Sequence, residues 1–90
     1  MMADKKKVTR LLNTARGQID GILRMIDDDR YCIDISNQIM ATQSVLGKAN
    51  DEVLKAHVNH CVRQAVENGG EDADRKLEEI ARILDKLTKQ

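Results

Sequence analysis

The 90-residue chain has no proline, tryptophan or phenylalanine, and Tyr31 is its one aromatic residue. A core built without large aromatic side chains must come from Leu, Ile, Val, Ala and Met, which favours an all-α fold. A chain of this length forms one domain, so we expect a single domain over residues 1–90. Because so small a chain buries only a modest share of its surface on folding, we also expect it to use a partner surface.

The sequence also lacks an apolar run long enough to cross a membrane. Its first residues, 1–7, are polar and basic and do not resemble a signal peptide. We therefore expect a cytoplasmic protein with no membrane partner. In that compartment the two cysteines are expected to be thiols rather than a structural disulfide. No nucleophile with a neighbouring base and no glycine-rich phosphate loop is recognisable, so we expect no enzyme.

The formal net charge is zero, so no overall positive field points to nucleic acid. The charges are nevertheless uneven, because the first sixteen residues carry one acidic residue, Asp4, and a basic cluster. This cluster is a candidate phosphate-contacting region, although charge alone favours a solvated helix start. Its members are Lys5, Lys6, Lys7, Arg10 and Arg16.

Three amphipathic helices are predicted, at about residues 5–28, 32–68 and 73–88. Apolar residues of the first helix recur at spacings of four and three, which is typical of one helical face. The pair Gly69-Gly70 predicts the end of the second helix, since glycine readily adopts the left-handed conformation found there. The apolar stripe of the first helix comprises Val8, Leu12, Ala15, Ile19, Ile22 and Ile26.

The second helix is too long for one small chain to cover. About 37 residues at roughly 1.5 Å each give a rod of about 55 Å. We therefore expect two copies of the first two helices to form an antiparallel four-helix-bundle dimer. Because most homo-oligomers are closed and symmetric, pairing of two dimers into a homotetramer is a further expectation.

Three residues of the second helix form a candidate metal site. His57 and Cys61 are four residues apart, which places them on one face, but this spacing alone is weak. Cys32 lies 25 residues before His57, almost 40 Å away along a helix. One chain therefore cannot bring the three together, whereas two antiparallel helices that cross between Val45 and Leu46 would.

Small side chains surround that crossing point, and they would let two helices approach closely. The crossing point is derived only from the positions of the three candidate ligands, so the small side chains are independent support for it. Two-fold symmetry then predicts two identical sites in each dimer. The small residues are Ala41, Thr42, Ser44, Gly47 and Ala49.

Two thiolates and one imidazole make a soft site, which among cellular metals favours copper(I). Zinc usually takes a fourth ligand, and the available His60 points about 100° around the helix from Cys61. The simpler alternative is that both cysteines are small buried hydrophobic residues. Glu78 and Glu79 on the third helix could accept a hydrogen bond from the histidine, although a solvated helix face is the simpler interpretation for both.

Short motifs are spread along the chain, and they are Arg16-Gly17-Gln18, Tyr31-Cys32, Gln38-Ile39, His57 and Cys61. Together they resemble the copper-sensitive operon repressor family over nearly the whole chain. The Cys–His–Cys set at spacings of 25 and 4 is specific to the copper(I)-sensing branch. The resemblance implies three-helix subunits in a dimer or dimer of dimers, without a helix-turn-helix. It also implies that the metal-free protein represses by binding operator double-stranded DNA, and that copper(I) bound across the dimer releases it and allows copper efflux genes to be expressed.

The resemblance implies a role for each residue that corresponds to a functional position of the family. Tyr31 and Glu79 correspond to the pair that hydrogen-bonds around the metal ligands and couples metal binding to DNA release. Arg16 and Lys48 correspond to DNA-contacting positions, and Leu11 stands where the family has a basic residue. The copper ligands would be Cys32, His57 and Cys61.

Two other functions fit the same residues. One is a persulfide-responsive repressor of the same fold, in which Cys32 and Cys61 form a sulfur bridge between subunits. The other is a metal buffer or helical interaction module with no DNA role, which the zero net charge supports.

Overall fold

The computed structural model describes residues 1–88, without the side chains of Asp72, Leu87 and Thr88. This range contains the helices α1 (Lys5–Asp27), α2 (Cys32–Asn68) and α3 (Gly70–Thr88), and no strand. The predicted all-α, three-helix fold is confirmed. None of these helices combines the length and the apolar composition that a membrane crossing requires.

Two nested backbone hydrogen bonds end α1. The N–H of Asp29 donates to Ile26 at 3.1 Å, and the N–H of Arg30 donates to Met25 at 3.0 Å. Asp29 has a φ of 51°, the left-handed conformation that this type of helix end requires. The chain therefore leaves α1 in a defined direction before Cys32 begins α2.

Two glycines separate α2 from α3. Gly69 and Gly70 have φ values of 62° and 61°, which residues other than glycine rarely adopt. The N–H of Gly69 donates a hydrogen bond to the carbonyl of Ala65 at 3.0 Å. The predicted stop is therefore in place. The third helix nevertheless begins at Gly70 rather than near residue 73, because the N–H of Ala73 already bonds to the carbonyl of Gly69 at 3.3 Å.

The chain divides into two compact units. We call residues Asp4–Glu52 the α1 unit, and Met1–Ala3 with Val53–Gln90 the α3 unit. The α1 unit contains α1 and the first part of α2, whereas the α3 unit contains the rest of α2 and α3. That the chain is one domain remains a prediction.

The apolar stripe of α1 divides into a buried half and an exposed half. The buried half consists of residues seven positions apart, namely Val8, Ala15 and Ile22, and each is at most 8% exposed. They form the core of the α1 unit with Ala49 of α2. The intervening members of the stripe are 45–50% exposed in the single chain, and they are Leu12, Ile19 and Ile26. The chain's own core therefore uses only half of the predicted apolar face.

Thr42 is a buried polar residue of the α1 unit, 4% exposed. Its hydroxyl lies 2.9 Å from Oε1 of Gln18 on α1 and 3.1 Å from the carbonyl of Gln38 on α2. Thr42 and Ala49 are thus used for packing inside one chain, which corrects their assignment to the subunit crossing. Of the small residues expected there, Ala41, Ser44 and Gly47 remain.

We expect Thr42→Val to lower the free energy of unfolding by about 1 kcal/mol, because it leaves the half-buried Gln18 amide without its partner. Thr14→Val is the matched control. The hydroxyl of Thr14 bonds only to the carbonyl of Arg10 in the same exposed helix, at 3.0 Å, so its loss should have little effect. Urea unfolding at one fixed protein concentration measures both. Equal effects of the two substitutions would contradict the role given to the Gln18 contact.

Candidate metal centre

Three potential metal ligands meet within the α3 unit. His57 and Cys61 lie one turn apart on α2, and Glu79 comes from α3. A ring nitrogen of His57, the sulfur of Cys61 and a carboxylate oxygen of Glu79 all lie within 4.8 Å of one another. The described residues hold no other group of this kind, and this one is the candidate metal centre.

Glu79 contacts both other members of this group with different oxygens. Its Oε1 lies 2.6 Å from Nε2 of His57, and its Oε2 accepts a hydrogen bond from the thiol of Cys61 at 3.7 Å. The carboxylate therefore holds the imidazole on one side and the sulfur on the other. With Nε2 directed at Glu79, Nδ1 of His57 stays available to a metal.

The group is closed around the sulfur and open around the imidazole. Cys61 is 1% exposed, which makes it the most buried side chain of the core, whereas the side chains of His57 and Glu79 are 43% and 34% exposed. A ligand from outside the unit would therefore approach from the imidazole side.

Burial raises the pKa of the Cys61 thiol above its ordinary value of 9.0, and the negative charge of Glu79 raises it further. The nearby Lys76 ammonium opposes this increase, while the hydrogen bond to Glu79 adds to it. The thiol is therefore neutral near pH 7 and donates a hydrogen bond to the carboxylate. Since a thiolate is the form that binds metals, metal binding must release this proton.

The pKa of Glu79 is shifted in the opposite direction. The hydrogen bond from His57 lowers it most, burial opposes this decrease, and attraction to His57 and Lys76 lowers it further. Glu79 is therefore ionised over the whole neutral range. Lys76 was not among the residues that we singled out in the sequence, although its position three residues before Glu79 places both on one side of α3.

The donor set fits a soft or borderline metal ion. An imidazole nitrogen suits copper, zinc and nickel, and a thiolate suits copper(I) and zinc. Glu79 can support such a site either by orienting His57 or by binding the metal itself.

The other predicted site residues lie in the α1 unit. Cys32 is exposed at the first position of α2, and Tyr31, directly before it, is 66% exposed. Neither belongs to the group formed by His57, Cys61 and Glu79. Their roles in metal binding therefore stay predictions, as does the ligand role of His57 and Cys61. The structure does bring Glu79, and not the exposed Glu78, into contact with His57.

The predicted DNA-contacting residues also lie in the α1 unit, and all but one are exposed. Lys7 is the exception, because its ammonium lies 3.0 Å from Oε1 of Glu52 on α2 and is partly neutralised there. Arg16 donates a hydrogen bond to Asn13 at 2.8 Å, which holds its side chain along α1. The exposed residues are Lys5, Lys6, Arg10, Arg16 and Lys48.

Known proteins resemble this chain over almost its full length. The model of a family described as metal-sensitive transcriptional repressor matches residues 4–86. The copper-sensing transcriptional repressor RicR of Mycobacterium tuberculosis is 40% identical over 85 residues, which cover 94% of this chain and 88% of the relative. The copper-sensing repressor CsoR of Bacillus subtilis is 35% identical over 86 residues, with 96% and 83% covered.

Two solved structures share the fold. The copper-sensing repressor CsoR with Cu(I) from Geobacillus thermodenitrificans superposes with a TM-score of 0.79 at 31% identity, over 98% of this chain and 93% of that one. The nickel-responsive transcriptional regulator InrS superposes with a TM-score of 0.84 over 96% and 94%. At 24% identity the second match bears on the fold alone. The resemblance to the copper-sensitive operon repressors is thereby confirmed.

We expect Glu79→Gln to lower the pKa of the Cys61 thiol, because it removes the negative charge that resists ionisation of the sulfur. Burial remains, so the pKa should stay above its ordinary value. Thiolate absorbance measured against pH in a Cys32→Ser background reports Cys61 alone. Glu78→Gln, which removes a neighbouring exposed carboxylate, is the control and should leave the titration unchanged. An unchanged thiol pKa in Glu79→Gln would show that burial acts alone.

Proposed function

Since this chain belongs to the family of metal-sensitive transcriptional repressors, and since its relatives RicR and CsoR sense copper, we propose that it is a copper(I)-responsive repressor. In this proposal the metal-free protein binds operator DNA. Cys32 of one subunit then joins His57 and Cys61 of another to bind copper(I), and the DNA is released. The observation that carries the proposal is the proximity of His57, Cys61 and Glu79, whose potential ligand atoms lie within 4.8 Å of one another.

The protein side chains supply a soft ligand set for this ion. Cys32 of one subunit and His57 and Cys61 of another would hold copper(I), which when bound would supply bonds to soft ligands. The thiols of Cys32 and Cys61 would lose their protons, and His57 would contribute Nδ1 while Nε2 keeps its hydrogen bond to Glu79. Cys32 is exposed and free to meet a partner, whereas Cys61 is already held in place.

The surface of the single chain supports assembly into a dimer. Half of the α1 stripe is exposed, and Ile33, Ile39 and Leu46 of α2 are 42–51% exposed as well. Apolar side chains at such a density are typical of a surface that another subunit covers. A dimer would cover them and would also bring Cys32 to the partner's metal site.

Metal binding weakens DNA binding only if the metal prefers the DNA-free conformation. A link from Cys32 to the next subunit's Cys61 would change how two α1 units are placed around the DNA. Because Glu79 bonds to His57, a movement of the imidazole would also be passed to α3. Both effects would act on the spacing of the basic residues in the proposed tetramer.

The exposed basic residues of the α1 unit suit contacts with DNA phosphates. Lys5 and Lys6 lie on the first turn of α1 and Arg10 lies on the second. The carboxylate of Asp4 accepts hydrogen bonds from the backbone N–H groups of Lys6 and Lys7 at 3.0 and 3.3 Å. Asp4 therefore caps the helix. With Lys7 held by Glu52, we expect the remaining basic residues to make the main contacts.

In the persulfide alternative, the geometry argues against Cys61 as the first thiol to react. Sulfur transfer needs an accessible thiolate, but Cys61 is 1% exposed and its pKa is raised, so the exposed Cys32 would have to react first. A metal that displaces the proton does not depend on a preformed thiolate in this way.

We expect reduced, metal-free protein to bind a duplex from the upstream region of its own gene, and one copper(I) per subunit to release it. Fluorescence anisotropy under anaerobic conditions follows both steps. Cys32→Ala should bind the duplex as the wild type does but should no longer release it with copper. Release by Cys32→Ala at wild-type copper concentrations would remove Cys32 from the site, and the absence of any duplex binding would end the repressor proposal.

We expect Arg16→Ala and Lys48→Ala to weaken duplex binding and to reduce the slope of log affinity against log salt by about 1 for each phosphate that the variant no longer neutralises. Lys86→Ala, an exposed basic residue of the last turn of α3, is the control. The measurement is anisotropy over a series of salt concentrations. If Lys86→Ala changes the slope as much as Arg16→Ala, the DNA surface is not confined to the α1 unit.

A further inference from the structure

Two glycines lie in the middle of α1 without a conformational reason. Glycine costs helix stability relative to alanine, and a helix normally keeps it where the backbone has a positive φ or where another group approaches closely. Among the described glycines only Gly69 and Gly70 have a positive φ. Gly17 and Gly21 therefore have an ordinary helical backbone that any residue with a side chain could adopt.

The chain's own packing does not explain these glycines either. Beyond the local helix backbone, a Cβ atom at Gly17 would meet no described atom within 4 Å, and at Gly21 it would meet only the end of the flexible Arg24 side chain, at 3.8 Å. Gly17 is exposed and lies on the side of α1 opposite the buried Val8 and Ala15. The remaining reason for a glycine here is a group outside the chain that comes close to the helix backbone.

The residues around Gly17 form a positively charged face of α1. At about 100° per residue, its members lie within about 40° of Gly17 around the helix axis. They include three cations and no acidic residue, and all of them are exposed except the half-buried Gly21. We call this set the glycine face, and it consists of Lys6, Arg10, Asn13, Gly17, Gly21 and Arg24.

We propose that the sugar-phosphate backbone of the DNA lies against the glycine face, with its closest approach at Gly17. This inference rests on the proposed function and extends it to a position without a side chain. A bare helix backbone lets the DNA reach van der Waals contact, which a side chain would prevent. Arg10 and Arg24 lie on either side of the glycines, about 21 Å apart along the helix. Over such a length one DNA strand carries several phosphates.

A second subunit is the other group that could fill the space at Gly17. Two-fold pairing would bring the glycine faces of both subunits together, and their cations would repel one another. The exposed apolar residues of α1 that suit a subunit interface, Leu12 and Ile19, lie on the opposite side of the helix. The charges therefore favour a polyanion at the glycine face.

The test adds a side chain at Gly17 without removing a charge. Gly17→Ala and Gly17→Leu should raise the urea midpoint of unfolding, since both residues favour helices more than glycine does. Both variants should nevertheless bind the upstream duplex more weakly, because the added side chain holds the DNA away. We expect the affinity to fall on the order of tenfold in Gly17→Ala and further in Gly17→Leu. A purely structural role of Gly17 would not raise stability while it lowers affinity.

Ala81→Leu is the control for added volume, because Ala81 is an exposed residue of α3 in the other unit. It should bind the duplex as the wild type does. Sedimentation should give the same oligomeric state for the wild type and all three variants. Wild-type duplex affinity in Gly17→Leu would overturn the proposal. A smaller oligomer in Gly17→Leu would overturn it as well, because a second subunit would then occupy the space at Gly17.

Arg24→Gln tests whether the DNA extends along the whole glycine face. The substitution keeps a good helix former but removes one cation, so the slope of log affinity against log salt should fall by about 1. Arg63→Gln, an exposed cation of α2 in the other unit, is the matched control and should leave the slope unchanged. An unchanged slope in Arg24→Gln would overturn the placement of DNA on the part of the face beyond Gly17.

These measurements separate the inference from the proposed function. If the wild type and Gly17→Leu bind the duplex equally, the repressor function stands and the glycine face is not its DNA surface. If the wild type binds no duplex, the repressor function fails and the inference fails with it. If the Gly17 results hold but copper(I) does not release the duplex, the glycine face stands as the DNA surface and only the copper response fails.

Discussion

One carboxylate, that of Glu79, contacts both other members of the candidate metal centre in the α3 unit. One of its oxygens is hydrogen-bonded to the imidazole of His57, and the other accepts a hydrogen bond from the thiol of Cys61. The two contacts have opposite consequences for ionisation, because the pKa of Glu79 falls while that of Cys61 rises. In the candidate metal centre, the carboxylate of Glu79 is therefore hydrogen-bonded to a neutral thiol and to an imidazole.

This arrangement explains how a site can be in place before the metal arrives without carrying an excess of negative charge. A buried thiolate beside a carboxylate would put two like charges in a poorly solvated position, which is costly. With the proton on Cys61, only Glu79 is charged, and Lys76 lies close enough to lower the pKa of both groups. In the proposed copper(I) site a monovalent ion would replace that proton, so the charge of the group would not change.

The positions of the helices follow from residue spacing in the sequence, but the neighbours against which each residue packs do not. The four-and-three pattern from Val8 to Ile26 predicts α1, and the glycines after Asn68 predict the end of α2. The pattern could not distinguish the residues buried in the chain's own core from those left exposed, because both sets lie on one apolar face. Thr42 shows the same limit, since a small residue suits a subunit crossing and a packed helix pair equally well.

In the candidate metal centre, too, some residues could be predicted from their spacing in the sequence and others could not. His57 and Cys61 are recognisable because a helix brings residues four apart together, and this requires no knowledge of the rest of the fold. The contact between His57 and Glu79 joins residues 22 positions apart and depends on the direction in which α3 leaves Gly69 and Gly70. Spacing alone could not choose between Glu78 and Glu79, and only the family resemblance favoured the second.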